Sequence, residues 1–165
     1  PFMIHLHLAK ETDLTHIAKM AKEIWNVHYV SMVGQEQVDY MLRKFYNDES
    51  LLEQMNEKKH RFYLIEQQKE TIGFLSVSSE NNADYFLHKF YIYNDKSSTG
   101  AGTEALTELI KLTSPKTLTL TVNRKNFKSI NFYFKNGFKI NSVEDFDIGN
   151  GYFMTDFVMQ KIVKS

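Results

Sequence analysis

The sequence predicts an α/β (α+β) fold: a mixed, mostly antiparallel sheet of six to seven strands with helices on both faces. Three observations carry this. Apolar residues recur at helical spacing in some stretches and alternate with polar ones in others. Three strand-like segments in the middle follow one another across short polar turns, which favours antiparallel pairing. Further on the order becomes strand, helix, strand, which calls for one parallel pairing.

Ile4, Leu6 and Leu8 alternate with polar neighbours and read as one face of a first strand. From Glu11 the period changes. Leu14, Ile17, Met20, Ala21, Ile24 and Trp25 fall on one helical face, with Thr12 and Asp13 as polar starters. Gly34 punctuates, and Val38, Met41, Leu42 and Phe45 form a second apolar stripe. Residues 50–56 read as one more short helical stretch. Segments 62–65 and 72–77, separated by the polar run 67–70, read as a hairpin; Asn81 and Asn82 mark another turn. Residues 85–93 form an aromatic-rich strand. The polar stretch 94–99 then leads through Gly100-Ala101-Gly102 into a helix whose buried face carries Leu106, Leu109 and Ile110. Ser114-Pro115 stops that helix. Leu118, Leu120 and Val122 share one face of the next strand, with threonines on the other. A helix over about 128–136 ends at Gly137, a residue suited to a left-handed cap. Segments 138–143 and 152–162 are the closing strands.

The chain has 165 residues and no internal repeat or proline- and glycine-rich linker, so a single domain over 1–165 is expected. Lys and Arg number 20, as do Asp and Glu, which argues against a general nucleic-acid or membrane-surface binder. Any phosphate site must therefore be local. There are no cysteines, which removes disulfides, thiol nucleophiles and cysteine zinc sites and fits a reducing, cytoplasmic setting. No stretch approaches the roughly 18 apolar residues of a membrane span, and no secretory leader is visible. Met3 is expected to be the native first residue, with Pro1 and Phe2 added before it. His5 and His7 share a strand face, but two histidines without a third ligand do not make a metal centre, and no metal is expected.

Lys96-Ser97-Ser98-Thr99-Gly100-Ala101-Gly102-Thr103 joins a strand to a helix. Its glycines let the backbone come close to a ligand. The helix behind them offers unsatisfied N–H groups and a partial positive charge, a setting suited to a diphosphate. Gly100 to Ala105 also matches G-x-G-x-x-A, but a dinucleotide fingerprint wants its glycines straight after the strand. Here a polar run intervenes, so that reading is rejected. No Lys-Ser/Thr pair follows the second glycine, so it is not a Walker loop either.

In order and spacing, residues 86–92, Gly100-Ala101-Gly102, residues 118–122, Asn126, Ser129, Phe132-Tyr133 and Gly137-Phe138 resemble the core of the GNAT N-acetyltransferase family over about half the chain. Segments 23–26, 36–42 and 147–156 further resemble a bacterial subgroup near the spermidine/spermine-type acetyltransferases. One departure stands out: Ser97 occupies a loop position where the family has Arg or Gln.

The resemblance implies an acetyl-CoA-dependent enzyme that moves an acetyl group to a primary amine of a small molecule, such as a polyamine, by direct attack. The other activities it leaves open are acetylation of a protein or peptide amine, and binding of an acyl-CoA without turnover. It implies that backbone groups of Phe90, Tyr91 and Ile92 hold the pantetheine arm. Ser97, Ser98, Thr99, Gly100, Ala101, Gly102 and Thr103 would cradle the diphosphate. Asn126 is either a pantetheine contact or the cap of the helix beginning near Phe127, and Ser129 stands where the family has Ala. Lys135, like Lys128, is either a 3′-phosphate contact or part of a solvated helix face. Tyr133 reads by pattern as a packed aromatic; the resemblance makes it the general acid, a phenol matched to a departing thiolate. His88 is either a structural histidine or the base that relieves the amine of its proton. Trp25, His28, Tyr29 and Phe153 are the candidates for the acceptor groove, with Trp25 better explained as a core residue and Tyr29 and Phe153 the better candidates. The partners implied are a small-molecule amine and a second copy of the chain in a homodimer, with no nucleic acid and no membrane.

Overall fold

The computed structural model describes residues 3–96 and 99–164. Ser97 and Ser98, two of the residues expected to cradle the diphosphate, lie outside the described residues, as do Pro1 and Phe2. The strands hydrogen-bond in the order β1-β2-β3-β4-β5-β7-β6. This is a mixed, mostly antiparallel sheet of seven strands with six α-helices. The chain folds as two compact units.

The first unit comprises Pro1–Ser78 and Lys89–Thr113. It opens with β1 (Ile4–Leu8), a 3₁₀ turn (Glu11–Asp13) and α1 (Leu14–His28). Asp13 accepts from the Lys10 amide at 2.8 Å, which turns the chain into α1. All six apolar residues of the α1 stripe are buried: Leu14, Ile17, Met20, Ala21, Ile24 and Trp25. Next come α2 (Val30–Val33), α3 (Gln35–Phe45) and α4 (Asp48–Asn56). Gly34 separates α2 from α3 at φ +86°. Asn47 caps α4 by accepting from the Ser50 amide at 2.8 Å. The hairpin β2 (Arg61–Gln67) and β3 (Glu70–Ser79) turns through Gln68 and Lys69, both at positive φ, as a tight two-residue hairpin requires. Leu8 does not share the burial of Ile4 and Leu6. It is the last β1 residue in the ladder, and the next amide, Ala9, already bonds the Phe62 carbonyl.

One contact in this unit shapes β4 (Asp84–Ile92). The β2–β3 register shifts after Ile65↔Gly73, leaving Ile72 as an extra residue. The Ile72 carbonyl accepts from the Tyr93 amide at 2.8 Å. A Cβ on Gly73 would overlap the Tyr91 carbonyl oxygen and lie 2.8 Å from Ile92 Cα. Only glycine lets the end of β4 lie against β3 in this way. The unit closes with α5 (Ala101–Thr113), where Leu106 and Leu109 are buried and Ile110 half-buried.

The second unit comprises Ser79–His88 and Ser114–Ser165. It holds the first part of β4, β5 (Thr117–Asn123), α6 (Phe127–Lys135), β6 (Lys139–Gly149) and β7 (Tyr152–Ile162). Leu118, Leu120 and Val122 are buried, as their alternation requires. The parallel β4–β5 pairing covers Asp84↔Thr117, Tyr85↔Leu118 and Phe86↔Thr119 and then stops. Leu87 and His88 continue β4 beyond the last residue pair of that ladder. β6 is longer than the expected 138–143 and pairs with β7 as far as Gly149↔Tyr152. In its outer half only Phe146 and the buried Ile148 alternate with acidic residues, too short an apolar period to mark a strand.

Gly73→Ala is expected to cost about 1–3 kcal/mol through overpacking against β4, read as a lowered urea midpoint. A wild-type midpoint would show that β4 does not need the glycine.

Candidate active site

The first unit carries the glycine loop. Gly100 sits at φ +83°, and a Cβ there would meet nothing within 4 Å, so its backbone angle and not crowding calls for glycine. Thr99 Oγ1 donates to the Lys96 carbonyl at 2.7 Å, while Lys96 Nζ lies 3.8 Å from Glu70 Oε2. Ala101 and Gly102 are buried in the first turn of α5, and Thr103 is exposed. The Glu104 amide bonds the Gly100 carbonyl at 3.2 Å. The amides before it have no acceptor within the helix. Small side chains beside such amides are the donor set a diphosphate needs, and the residues present fit it.

The end of β4 lies in the same unit. Phe90, Tyr91 and Ile92 are half-buried. The Tyr91 ring joins an aromatic cluster, with centroids 5.8 Å from Trp25, 6.1 Å from Tyr29 and 5.5 Å from Phe74. Trp25 also packs 5.0 Å from Tyr29 and 5.5 Å from Tyr46. Trp25 is thus a core residue, while Tyr29 is half-buried at the end of α1 with His28 just before it. Burial, with Tyr29 nearby, raises the Tyr46 phenol well above its usual range against a partly offsetting hydrogen bond with Tyr91.

Lys89 is a residue the sequence reading passed over. Its Nζ donates to Gln54 Oε1 at 2.7 Å and sits over the Tyr46 and Phe62 rings at 5.4 and 5.7 Å. Burial, with Lys58 adding repulsion, brings its ammonium down to about 8. Burial, then Lys89 and Lys58, pushes His60 down to about 4. The signal was available: Lys89 alternates with Tyr85, Leu87 and Tyr91 on one face of a strand whose other members there are apolar or aromatic.

In the second unit Tyr133 is buried on α6, its ring 5.4 Å from Phe132 and 5.3 Å from Phe138. Asn126 is the N-cap of α6, its Oδ1 accepting from the Ser129 amide at 3.2 Å. Ser129 is half-buried, and Lys128 and Lys135 are exposed. His88 is half-buried with its ring 4.8 Å from Phe86. Phe153 is exposed near the β6–β7 turn. Tyr133 and Asn126 therefore share α6, and Trp25 and Tyr29 share the aromatic cluster; His88 and Phe153 stand on separate strands.

Asp156 is a second residue not foreseen. It is buried on β7 opposite Asn123, and its Oδ2 has no hydrogen-bond partner among the described residues. Arg124 reaches the Asp156 and Glu144 carbonyls at 3.1 and 3.0 Å and the Asp145 carboxylate at 2.7 Å. Burial raises the Asp156 carboxyl to about 6; Thr121's hydrogen bond and Arg124 oppose this, and Asp145 adds to it.

A strand leading through a glycine loop into a helix whose first turn carries small residues is a frame suited to an acyl-CoA-dependent transferase, since it can hold a diphosphate. Residues 29–160 match the sequence family described as the acetyltransferase (GNAT) domain. A spermidine N(1)-acetyltransferase of Thermoplasma acidophilum is 27% identical over 160 residues, 93% of each chain. The solved PaiA N-acetyltransferase of Thermoplasma acidophilum, in complex with coenzyme A, superposes with a TM-score of 0.78 at 26% identity, covering 97% of this chain and 99% of that one. A GCN5-related N-acetyltransferase of Rhodopseudomonas palustris shares the fold, with a TM-score of 0.78 at 16% identity over 98% and 96% of the two chains. The chain belongs to the GNAT acetyltransferase family. It is an acetyl-CoA-dependent N-acetyltransferase. No helix among the described residues is long and apolar enough to cross a membrane.

Two stability measurements check the second unit. Asn126→Ala should cost about 1 kcal/mol by uncapping α6; an unchanged melting temperature would deny the cap. Folded Asp156 keeps its proton to about pH 6, whereas an unfolded aspartate loses it near pH 4. The folded state therefore binds more protons in that window, and stability falls as pH rises through it. Asp156→Asn should remove up to about 2 kcal/mol of that fall, measured by urea unfolding between pH 4 and 7. Parallel wild-type and variant curves would contradict the burial effect.

Proposed function

We propose that this acetyltransferase acts on a primary amine of a small polyamine-like molecule by direct attack. The observation that carries the reading is the 27% identity to a spermidine N(1)-acetyltransferase along 93% of both chains. The aromatic cluster of Trp25, Tyr29 and Tyr91 supports it, since ring faces favour an alkylammonium.

Bound acetyl-CoA supplies an activated thioester. The amides of Thr99 to Thr103 would hold its diphosphate with α5's partial positive charge; Ser97 and Ser98, outside the described residues, are further candidates for it. Backbone groups of Phe90, Tyr91 and Ile92 would hold the pantetheine arm, and an N–H there would polarise the thioester carbonyl. Asn126 and Ser129 flank the arm, and Lys135 offers a cation to the 3′-phosphate. His88 would take a proton from the substrate ammonium so that the neutral amine can attack, and Tyr133 Oη would give one to the departing thiolate sulfur, with the amine's second proton lost as the amide forms. Tyr29 and His28 would orient the acceptor, with Trp25 packing behind Tyr29, and Phe153 is a separate candidate contact. Holding both reactants in line supplies much of the rate.

Free-thiol release over a panel of spermidine, spermine, simple diamines, lysine and N-terminal peptides tests the substrate class. Turnover with the polyamines is expected; turnover confined to peptides would replace this reading with peptide acetylation. Tyr133→Phe should lower kcat about a hundredfold and leave acetyl-CoA affinity within about twofold. An unchanged kcat removes Tyr133 from the proton transfer. His88→Gln should erase the acidic limb of the pH–rate profile, and an unaltered profile would discard it as the base.

A further inference from the structure

The strand that the sequence left with two histidines gains a third donor from its neighbour. His5 and His7 lie two residues apart on β1, so both point to one face of the sheet. The register pairs His5 with Glu66 on β2. The three side chains offer one ligand atom each, all within 4.8 Å of one another. His7 Nδ1 already lies 3.9 Å from Glu66 Oε1, and the two imidazole rings stand edge-on at 6.5 Å.

We propose that His5, His7 and Glu66 form a surface site for a first-row divalent transition metal, independent of acetyl transfer. Ligand atoms around a tetrahedral zinc stand about 3.3 Å apart, given bonds of about 2.0–2.2 Å. Closing the gap from 4.8 Å takes side-chain rotation alone, because His5 and His7 are exposed, Glu66 is half-buried and the backbone is fixed by the ladder. Two imidazoles and a carboxylate select zinc, nickel or copper over magnesium and calcium, which want oxygen alone. Three protein ligands leave positions open to water, so the site is not a closed structural centre. No hydrogen bond holds the far nitrogen of His5 among the described residues, and without such support the affinity falls short of that of a buried site. The ion would tie β1 to β2 more firmly than the ladder and the His7–Glu66 contact do on this face. The bound state is then more stable to heat, because the unfolded chain does not bring residues 5, 7 and 66 together.

The test is isothermal titration of the full chain with zinc chloride and, separately, magnesium chloride, alongside thermal melts. Wild type should bind one zinc per chain, melt higher with zinc and ignore magnesium. His7→Ala and Glu66→Gln should each weaken zinc binding at least tenfold and abolish the melting shift. Both should keep wild-type acetyl transfer, which shows that they fold. Zinc uptake that survives both substitutions, and so comes from the other histidines, overturns the proposal. So does a wild type that takes up none.

Discussion

The β4 strand cannot serve two neighbours along its whole length. After Phe86 its parallel ladder with β5 ends, while Leu87 and His88 continue the strand. Backbone N–H and C=O groups beyond such a point are paired by something other than that ladder. The far end of β4 carries a second constraint. Tyr91 and Ile92 lie so near Gly73 that no side chain fits there. A bulge on β3 at Ile72 and a bare glycine beside it thus set the course of the strand that leads into the glycine loop.

Each unit adds a different kind of chemistry to this frame. The first gives a helix start with small buried residues, Ala101 and Gly102, and an aromatic cluster around Trp25 and Tyr91. Its buried cation, Lys89, is satisfied by Gln54 and two ring faces instead of a carboxylate. That lets an amine lie inside the unit without a buried ion pair, at the expense of its basicity. The second unit gives the capped helix that presents Tyr133. It also keeps a carboxyl, Asp156, out of water beside the end of β5.

Much of this was legible in the residues. The α1 stripe names its own buried face because a helix held by packing must repeat its apolar residues at 3.6. The threonine–leucine alternation of β5 and the glycine after α6 speak as directly, Gly137 lying at φ +89°. The outer half of β6 was missed because its Phe146–Ile148 alternation, set among Glu144, Asp145 and Asp147, spans too few residues to mark a strand. Leu8 misled for the opposite reason: alternation persists one residue past the point where the sheet stops burying it. At the site, the glycine loop and Tyr133 stood out through order and spacing. Lys89, Asp156 and the Glu66 that completes a histidine pair did not. Their meaning lies in what faces them across strands or from distant helices, and register between remote segments leaves little trace in local periodicity.

Amide hydrogen exchange on the whole chain, with and without acetyl-CoA, tests most directly whether the end of β4 and the α5 start receive the cofactor. The account predicts that amides from Leu87 to Ile92 and from Thr99 to Thr103 exchange readily in the free protein and slow together on adding acetyl-CoA. Protection confined to other segments, or β4 amides already as slow as those of β2, would contradict it.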